Sequence, residues 1–219
     1  MTSTTGAPPA RFALAGGTRA SGLAFLSAAT AAGHAVTALA RTAEGAEAAR
    51  AAGAEVVMGD ALVAADLARF CEAAGRDAVA VSFLGGRRGE SGVDAAGNIA
   101  FIDAAVAAGL PRFVLVTSLG CGDSDPLLSP RMREVIGAVV AEKTKAEEHL
   151  RASPIGWTIV RPGGLLDGPA DGAGSLVVSP PAIGRLTRGE LARLVLIAAT
   201  EPAWRGQVLA AHVPVAAAA

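Results

Sequence analysis

Tyrosine is absent from this 219-residue chain, and aromatic residues of all kinds make up only 4% of it. The first absence excludes any reaction in which a tyrosine hydroxyl moves the proton. The second leaves the core to aliphatic and small side chains. Only two cysteines occur, Cys71 and Cys121, with neither metal-ligand spacing nor the look of a disulfide framework. The net charge is −1, with 19 bases and 20 acids mixed along the chain, so the basic stripe that nucleic acid or an anionic membrane requires is missing. No uninterrupted apolar run approaches the roughly 18 residues of a membrane span. The opening MTSTTGAPPAR lacks the basic region and apolar core of a secretory signal. These absences predict a cytoplasmic domain without a metal, whose partner is a small molecule rather than nucleic acid or a membrane. Residues 1–10 read as a disordered tail and 11–219 as one domain, with the oligomeric state left open.

What the chain does have is 52% hydrophobic residues and 27 glycines, a composition suited to close helix-on-sheet packing. Short apolar runs at 11–16, 34–41, 54–60, 77–85, 112–120, 157–163 and 207–213 read as strands. Several are apolar at consecutive positions, as strands covered on both faces should be. Helical segments lie between them at 20–32, 43–52, 64–74, 92–109, 131–152 and 187–200. In NIAFIDAAVAAGLP, Ile99, Ile102, Val106 and Leu110 recur at helical spacing before a Gly-Leu-Pro stop. The alternation predicts a doubly wound, mainly parallel Rossmann-type α/β sheet of six or seven strands with helices on both faces. Glycine, proline, serine and aspartate concentrate at 85–91, 119–130 and 164–182. In such a sheet the loops after the strand C-termini build the ligand site.

The first of these loops, GGTRASG, places Gly16, Gly17 and Gly22 between a strand and a helix, where backbone turns closely around a pyrophosphate. Two of its features concern the nucleotide. Its middle position carries Arg19, and the second strand ends on Arg41 with no acid between Gly33 and Ala43. An Asp or Glu near that point is what holds the adenosine ribose of NAD. Two guanidiniums are suited instead to the 2′-phosphate of NADP(H), unless both are simply solvent-facing cations.

FALAGGTRASG, VTALAR, VVMGDA, VTSLG, AEKTKAEEHLRAS and WTIVRPGGL together resemble the atypical short-chain dehydrogenase/reductases, specifically the NmrA-like and biliverdin-reductase-B-like NAD(P)-binding group. The resemblance runs over residues 11–213. It implies a first loop of Gly16, Gly17, Thr18, Arg19, Ala20, Ser21 and Gly22 around the pyrophosphate, with Arg19 in place of the family's middle glycine. It implies Asp60 and Ala61 near the adenine, and Leu84, Gly85 and Gly86 along the adenosine ribose. Thr117, Lys143, Pro162, Gly163 and Gly164 are implied on the nicotinamide side. Asp60 also reads as an ordinary turn acid, and Gly85-Gly86 as a plain turn.

In the main branch of that family a serine, a tyrosine and a lysine four residues on carry carbonyl reduction. Here the resemblance puts Ser118 at the serine and Lys143 at the lysine, so the tyrosine position falls on Val139, which exchanges no proton. Ser118 can donate to a substrate oxygen or satisfy local backbone. Lys143 can hold the nicotinamide ribose or be a solvated helix lysine, and Lys145 faces elsewhere. Cys121 reads as a small loop residue. None of His34, His149 and His212 adjoins a cofactor motif, and Arg87 and Arg88 meet either an anion or solvent. Leu165, Leu166, Leu176, Val177 and Val178 suggest an aliphatic substrate wall in 164–182. The expected function is an NADPH-dependent reductase of a conjugated molecule such as a quinone, flavin or enone, which needs least help from a protein acid. The alternatives are a non-catalytic NADP(H)-binding redox sensor, or an epimerase or dehydratase.

Overall fold

The computed structural model describes residues 9–86, 92–178 and 184–213. In chain order it runs β1 (Arg11–Ala15), α1 (Ala20–Ala31), β2 (Ala35–Ala40), α2 (Ala43–Ala51), β3 (Glu55–Met58), α3 (Ala64–Ala74) and β4 (Val79–Ser82). A π-helical turn, Val93–Gly97, then leads into α4 (Asn98–Ala107), followed by β5 (Arg112–Val116), a short 3₁₀ turn and α5 (Pro130–Ala152). The last part comprises β6 (Gly156–Pro162), β7 (Gly164–Leu166), β8 (Ser175–Val177), β9 (Arg185–Thr187), α6 (Arg188–Thr200) and β10 (Gln207–His212).

Alternation along the strands explains the two layers of helices. In β1, Phe12 and Leu14 join a core with Phe25 and Leu26 of α1 and Leu191, Leu194 and Val195 of α6. Ala13 and Ala15 face the opposite core, with Phe70 of α3, Phe101 of α4 and Leu150 of α5. Both faces being dry, the strands show unbroken apolar runs in place of a polar-apolar alternation. The few aromatics stack where the helices meet the sheet, as in the edge-on Phe101–Phe113 pair with ring centroids 4.9 Å apart.

The main sheet has eight strands in the order β3-β2-β1-β4-β5-β6-β10-β8, all parallel except β8. The doubly wound fold is as expected; the sheet has eight strands where six or seven were expected, the eighth being an antiparallel edge strand. That strand, Ser175–Val177, pairs antiparallel with Ala210–His212. With three residues it is too short for a period, and backbone pairing alone defines it. Residues 164–178 are correspondingly less irregular than their composition suggests, because β7 also pairs with β9 in a small second sheet.

Buried polar groups fix the elements to one another. Arg112 donates to the carbonyls of Ala198, Ala199 and Glu201 at the end of α6, satisfying acceptors that a helix C-terminus leaves open. Burial, with Arg205 adding to it, lowers its pKa to about 10. Glu147 of α5 accepts from Thr117 at 2.6 Å and from Nη2 of Arg161 at 2.6 Å, and Arg161 also pairs with Asp123. Burial alone would lower the Arg161 pKa, but the two carboxylates outweigh it and raise it. This network ties α5 to the C-terminal ends of β5 and β6.

Candidate active site

Strand order reverses beside β1, whose neighbours are β2 and β4. The loops after β1 and β4 therefore diverge and leave a crevice at the carboxyl end of the sheet. A cleft of about 760 Å³ occupies it.

The first loop forms its floor. Gly16 has φ +78°, and a Cβ there would lie 2.5 Å from the Phe83 carbonyl carbon; a Cβ on Gly22 would lie 2.0 Å from the Gly16 oxygen. The loop can pass so close to β4 and to itself only with glycine at these points. Arg19 is the N-cap of α1, with φ −160° and ψ 164°, ordinary extended backbone that needs no glycine. The left-handed position is the next residue: Ala20 has φ +47°. Arg19 makes no side-chain cap, and the first turn of α1 carries no acid. Its amides are thus left without a side-chain acceptor at the place where an anion suits the helix dipole.

One end of the cleft is lined by Arg41, Thr42, Glu44, Asp60 and Ala61. Asp60 reaches the cleft while its Oδ1 accepts from the Leu62 N–H at 2.9 Å, so the turn acid and the cleft residue are the same group. Glu44, although in α2, lines this end together with Arg41. Arg19 Nη2 donates to the Gly85 carbonyl at 3.1 Å. That bond carries it toward the β4 loop, on the opposite side of β1 from Arg41.

The middle is formed by Leu84, Gly85 and Gly86, held by three residues that sequence reasoning did not single out. Ser82 Oγ donates to Asn98 Oδ1 at 2.6 Å, Asn98 Nδ2 donates to the Asp94 carbonyl at 2.9 Å, and Asp94 Oδ2 accepts from Gly86 N at 3.0 Å. Asp94 sits in the π-helical turn, and its Oδ1 is 3.2 Å from Lys143 Nζ, an ion pair without hydrogen-bond geometry. Lys143 also donates to the Leu84 carbonyl at 3.4 Å, and only 13% of its side chain is exposed. A solvated helix lysine would show neither feature. Nothing in the local sequence of Asp94 marks it, because the π turn is what brings its carboxylate inward.

At the far end Val116, Thr117, Val139, Pro162, Leu165 and Leu191 line the cleft, and Arg188 lines it beside the first loop. Val139 and Lys143, one turn apart, share a face of α5, and Val139 is 42% exposed. The Thr117 hydroxyl is committed to Glu147. Ser118, half-buried, donates to the Leu119 carbonyl at 2.9 Å and is not among the lining residues. Neither are Gly17, Gly163 and Gly164. Gly17 is buried beneath the loop, while Gly163 and Gly164 bond through their amides to Ala211 and Gly184. Of the aliphatic residues expected of a substrate wall, Leu165 lines the cleft and Leu176 packs against the core. Leu166 and Val178 are exposed. Arg188, which sequence reasoning passed over, donates to Asp167 and to the Ser21 hydroxyl.

Other reactive groups lie elsewhere. Cys121 is buried, and burial, reinforced by Glu147, pushes its thiol up to about 11. His34 accepts from the Ala10 amide and His149 bonds to Asp103. Arg87 and Arg88 lie outside the described residues, as do residues 1–8 of the expected tail. Among the described residues no group of three His, Cys, Asp or Glu is placed to hold a metal, and no helix is long and apolar enough to cross a membrane.

The residues fit a nicotinamide dinucleotide: a glycine cradle, an uncapped helix N-terminus and an elongated cleft with cations along it. Comparison with known proteins agrees. Residues 16–202 match the NAD(P)H-binding family, and the chain belongs to that family. Among solved structures it is 38% identical to the anaerobilin reductase ChuY of Escherichia coli O157:H7, covering 95% of this chain and 99% of that one with a TM-score of 0.86. For ChuY of E. coli strain CFT073 the identity is 35%, the coverage 95% and 100%, and the TM-score 0.83. A curated relative, the uncharacterized sugar epimerase YhfK of Bacillus subtilis, is 29% identical over 178 residues, 77% of each chain. These likenesses are those of an oxidoreductase-like NAD(P)-binding protein within the atypical short-chain dehydrogenase/reductases.

Proposed function

We propose that this protein is an NADPH-dependent reductase of a conjugated, open-chain tetrapyrrole-like molecule, working without a protein tyrosine. The observation that carries the reading is the pair Val139 and Lys143 on one face of α5, at the far end of the cleft. Lys143, anchored by Asp94, holds the coenzyme ribose. Val139, where a proton donor would stand, offers only an apolar surface. When bound, the coenzyme supplies a hydride. The chain's part is to orient that group and to present the apolar side chains of Val139, Leu165 and Leu191 to the substrate, leaving the proton to solvent or to the substrate itself. A positioned general acid contributes roughly 10²–10⁴-fold, so a simple ketone should be a poor substrate and a conjugated acceptor a tolerable one. The near full-length similarity to a reductase of anaerobilin supports the tetrapyrrole class within that range. The resemblance to NmrA-like proteins keeps a non-catalytic redox sensor as the rival.

Preference for NADPH is proposed to come from Arg41, with Arg19 joining it only by releasing the Gly85 carbonyl. Glu44 at the same end opposes a 2′-phosphate, so Arg41→Ala should erase the preference while Glu44→Gln should sharpen it. Ser118 reaches a substrate oxygen only by releasing Leu119. Turnover should be followed as NADPH consumption with a linear tetrapyrrole, a quinone, a flavin, an enone and a saturated ketone. Oxidation with the tetrapyrrole and not the ketone is expected. A fall in turnover at constant coenzyme affinity in Ser118→Ala would assign that hydroxyl to the substrate. Coenzyme binding with no oxidation by any acceptor would replace the reductase by the sensor.

A further inference from the structure

Besides Lys143 the cleft has three arginines, of which the two discussed so far, Arg41 and Arg19, belong to the loops after β2 and β1. The third, Arg188, enters from the other side of the first loop as the opening residue of α6. We propose that Arg188 holds the coenzyme's diphosphate against the first loop, and so binds NADH and NADPH alike. The inference needs only the coenzyme, not the reduction.

Position separates Arg188 from the 2′-phosphate. It lines the cleft and touches Ser21, which is buried within the first turn of α1, whereas Arg41 stands beyond β2. Its guanidinium is already aimed. Nε donates to Asp167 at 2.8 Å, fixing the plane, while Nη1 makes only a 3.3 Å contact with the neutral Ser21 hydroxyl. Nη2 has no hydrogen bond among the described residues, and 34% of the side chain is exposed. A guanidinium with one edge anchored and the other free can meet two phosphate oxygens in parallel. It meets them beside the α1 amides, which have no side-chain cap and no acid in the first turn. Asp167 is 94% exposed, so water screens that pair and little of the cation's charge is withdrawn from the cleft.

Calorimetric titration with NADPH, NADH, ADP and 2′-AMP tests the assignment, because only the first three carry a diphosphate. In Arg188→Ala, affinity for those three should fall together by about tenfold, the scale of a lost charge-assisted contact, with 2′-AMP within about twofold. Arg41→Ala should reverse the pattern, weakening NADPH and 2′-AMP and sparing NADH and ADP. Arg188→Lys, which keeps the charge and loses the fork, should fall between wild type and alanine. Should the alanine variant not fold, Arg188→Gln serves with the same expected pattern. A general loosening of the α1–α6 junction would weaken 2′-AMP as well and overturn the proposal. Unchanged affinity for NADH and ADP would also overturn it, handing Arg188 to the substrate or to the scaffold.

Discussion

At the scale of single residues, the first loop shows how a family position can change without damage. A glycine is usual where Arg19 stands, yet the backbone there is extended, and a long side chain costs nothing in conformation. Strain resides one residue later, at Ala20, the only non-glycine with positive φ among the described residues. A left-handed L-residue is disfavoured by roughly 1–2 kcal/mol, and glycine relieves that at an entropic cost of similar size. Ala20→Gly should therefore change stability by no more than about 0.5 kcal/mol, the usual span for surface substitutions. Ala20→Val, at an exposed site where packing scarcely matters, should destabilise by about 1–2 kcal/mol. Urea unfolding of both variants measures it, and equal stabilities would remove the strain assigned to this turn.

At the scale of elements, α5 turns one stripe of residues toward the cleft and the network beside it. Val139, Lys143 and Glu147 follow at successive turns, so the Glu147–Arg161 network that fixes the helix also sets the height of the lysine above the cleft. On the other side, α6 is fixed through Glu190. Its carboxylate accepts from the Gly172 and Gly174 amides and from Arg193. The Arg193 contact, ahead of the opposing effect of burial and helped by the two amides, lowers its pKa to about 2. A carboxyl whose pKa is depressed on folding adds stability above its unfolded value, and that stability is lost as the pH falls through the folded one. Stability should thus decline between about pH 4.5 and pH 2, the interval between the ordinary and the folded value. Glu190→Gln should remove this component and flatten the decline. Thermal melts of both proteins across that interval test it, and parallel curves would exclude Glu190 as a source.

At the scale of the whole molecule, the cleft joins parts remote in sequence. The loops after β1, β2, β3 and β4 meet the first turn of α6 and the middle of α5 across one crevice, so a ligand filling it binds the folded state alone. At a hundredfold excess over its Kd a ligand stabilises by about 2.7 kcal/mol, and a domain of this size gains roughly 2–4 °C per kcal/mol. NADPH should accordingly raise Tm by roughly 5–10 °C at that excess. At equal concentrations NADH should raise it less. The difference between the two should vanish in Arg41→Ala, as a thermal-shift titration would register.

Alternating strands and helices, the glycine loop and the missing tyrosine were legible in the chain because each is local: a period, a turn or a count. The placement of Lys143 and Arg41 at the cleft was also within reach, since each lies at a fixed offset from a readable element. Asp94, Arg188 and the reach of Glu44 were not. They enter the cleft through a π turn, a contact between the first turns of α1 and α6, and a helix face, all settled by packing between distant segments. The eighth strand was invisible for a similar reason, because three residues have no period and only β10 makes them a strand. Local sequence thus determined the fold class and the kind of ligand, while tertiary structure decided which charges meet that ligand, since charges act through space and not along the chain.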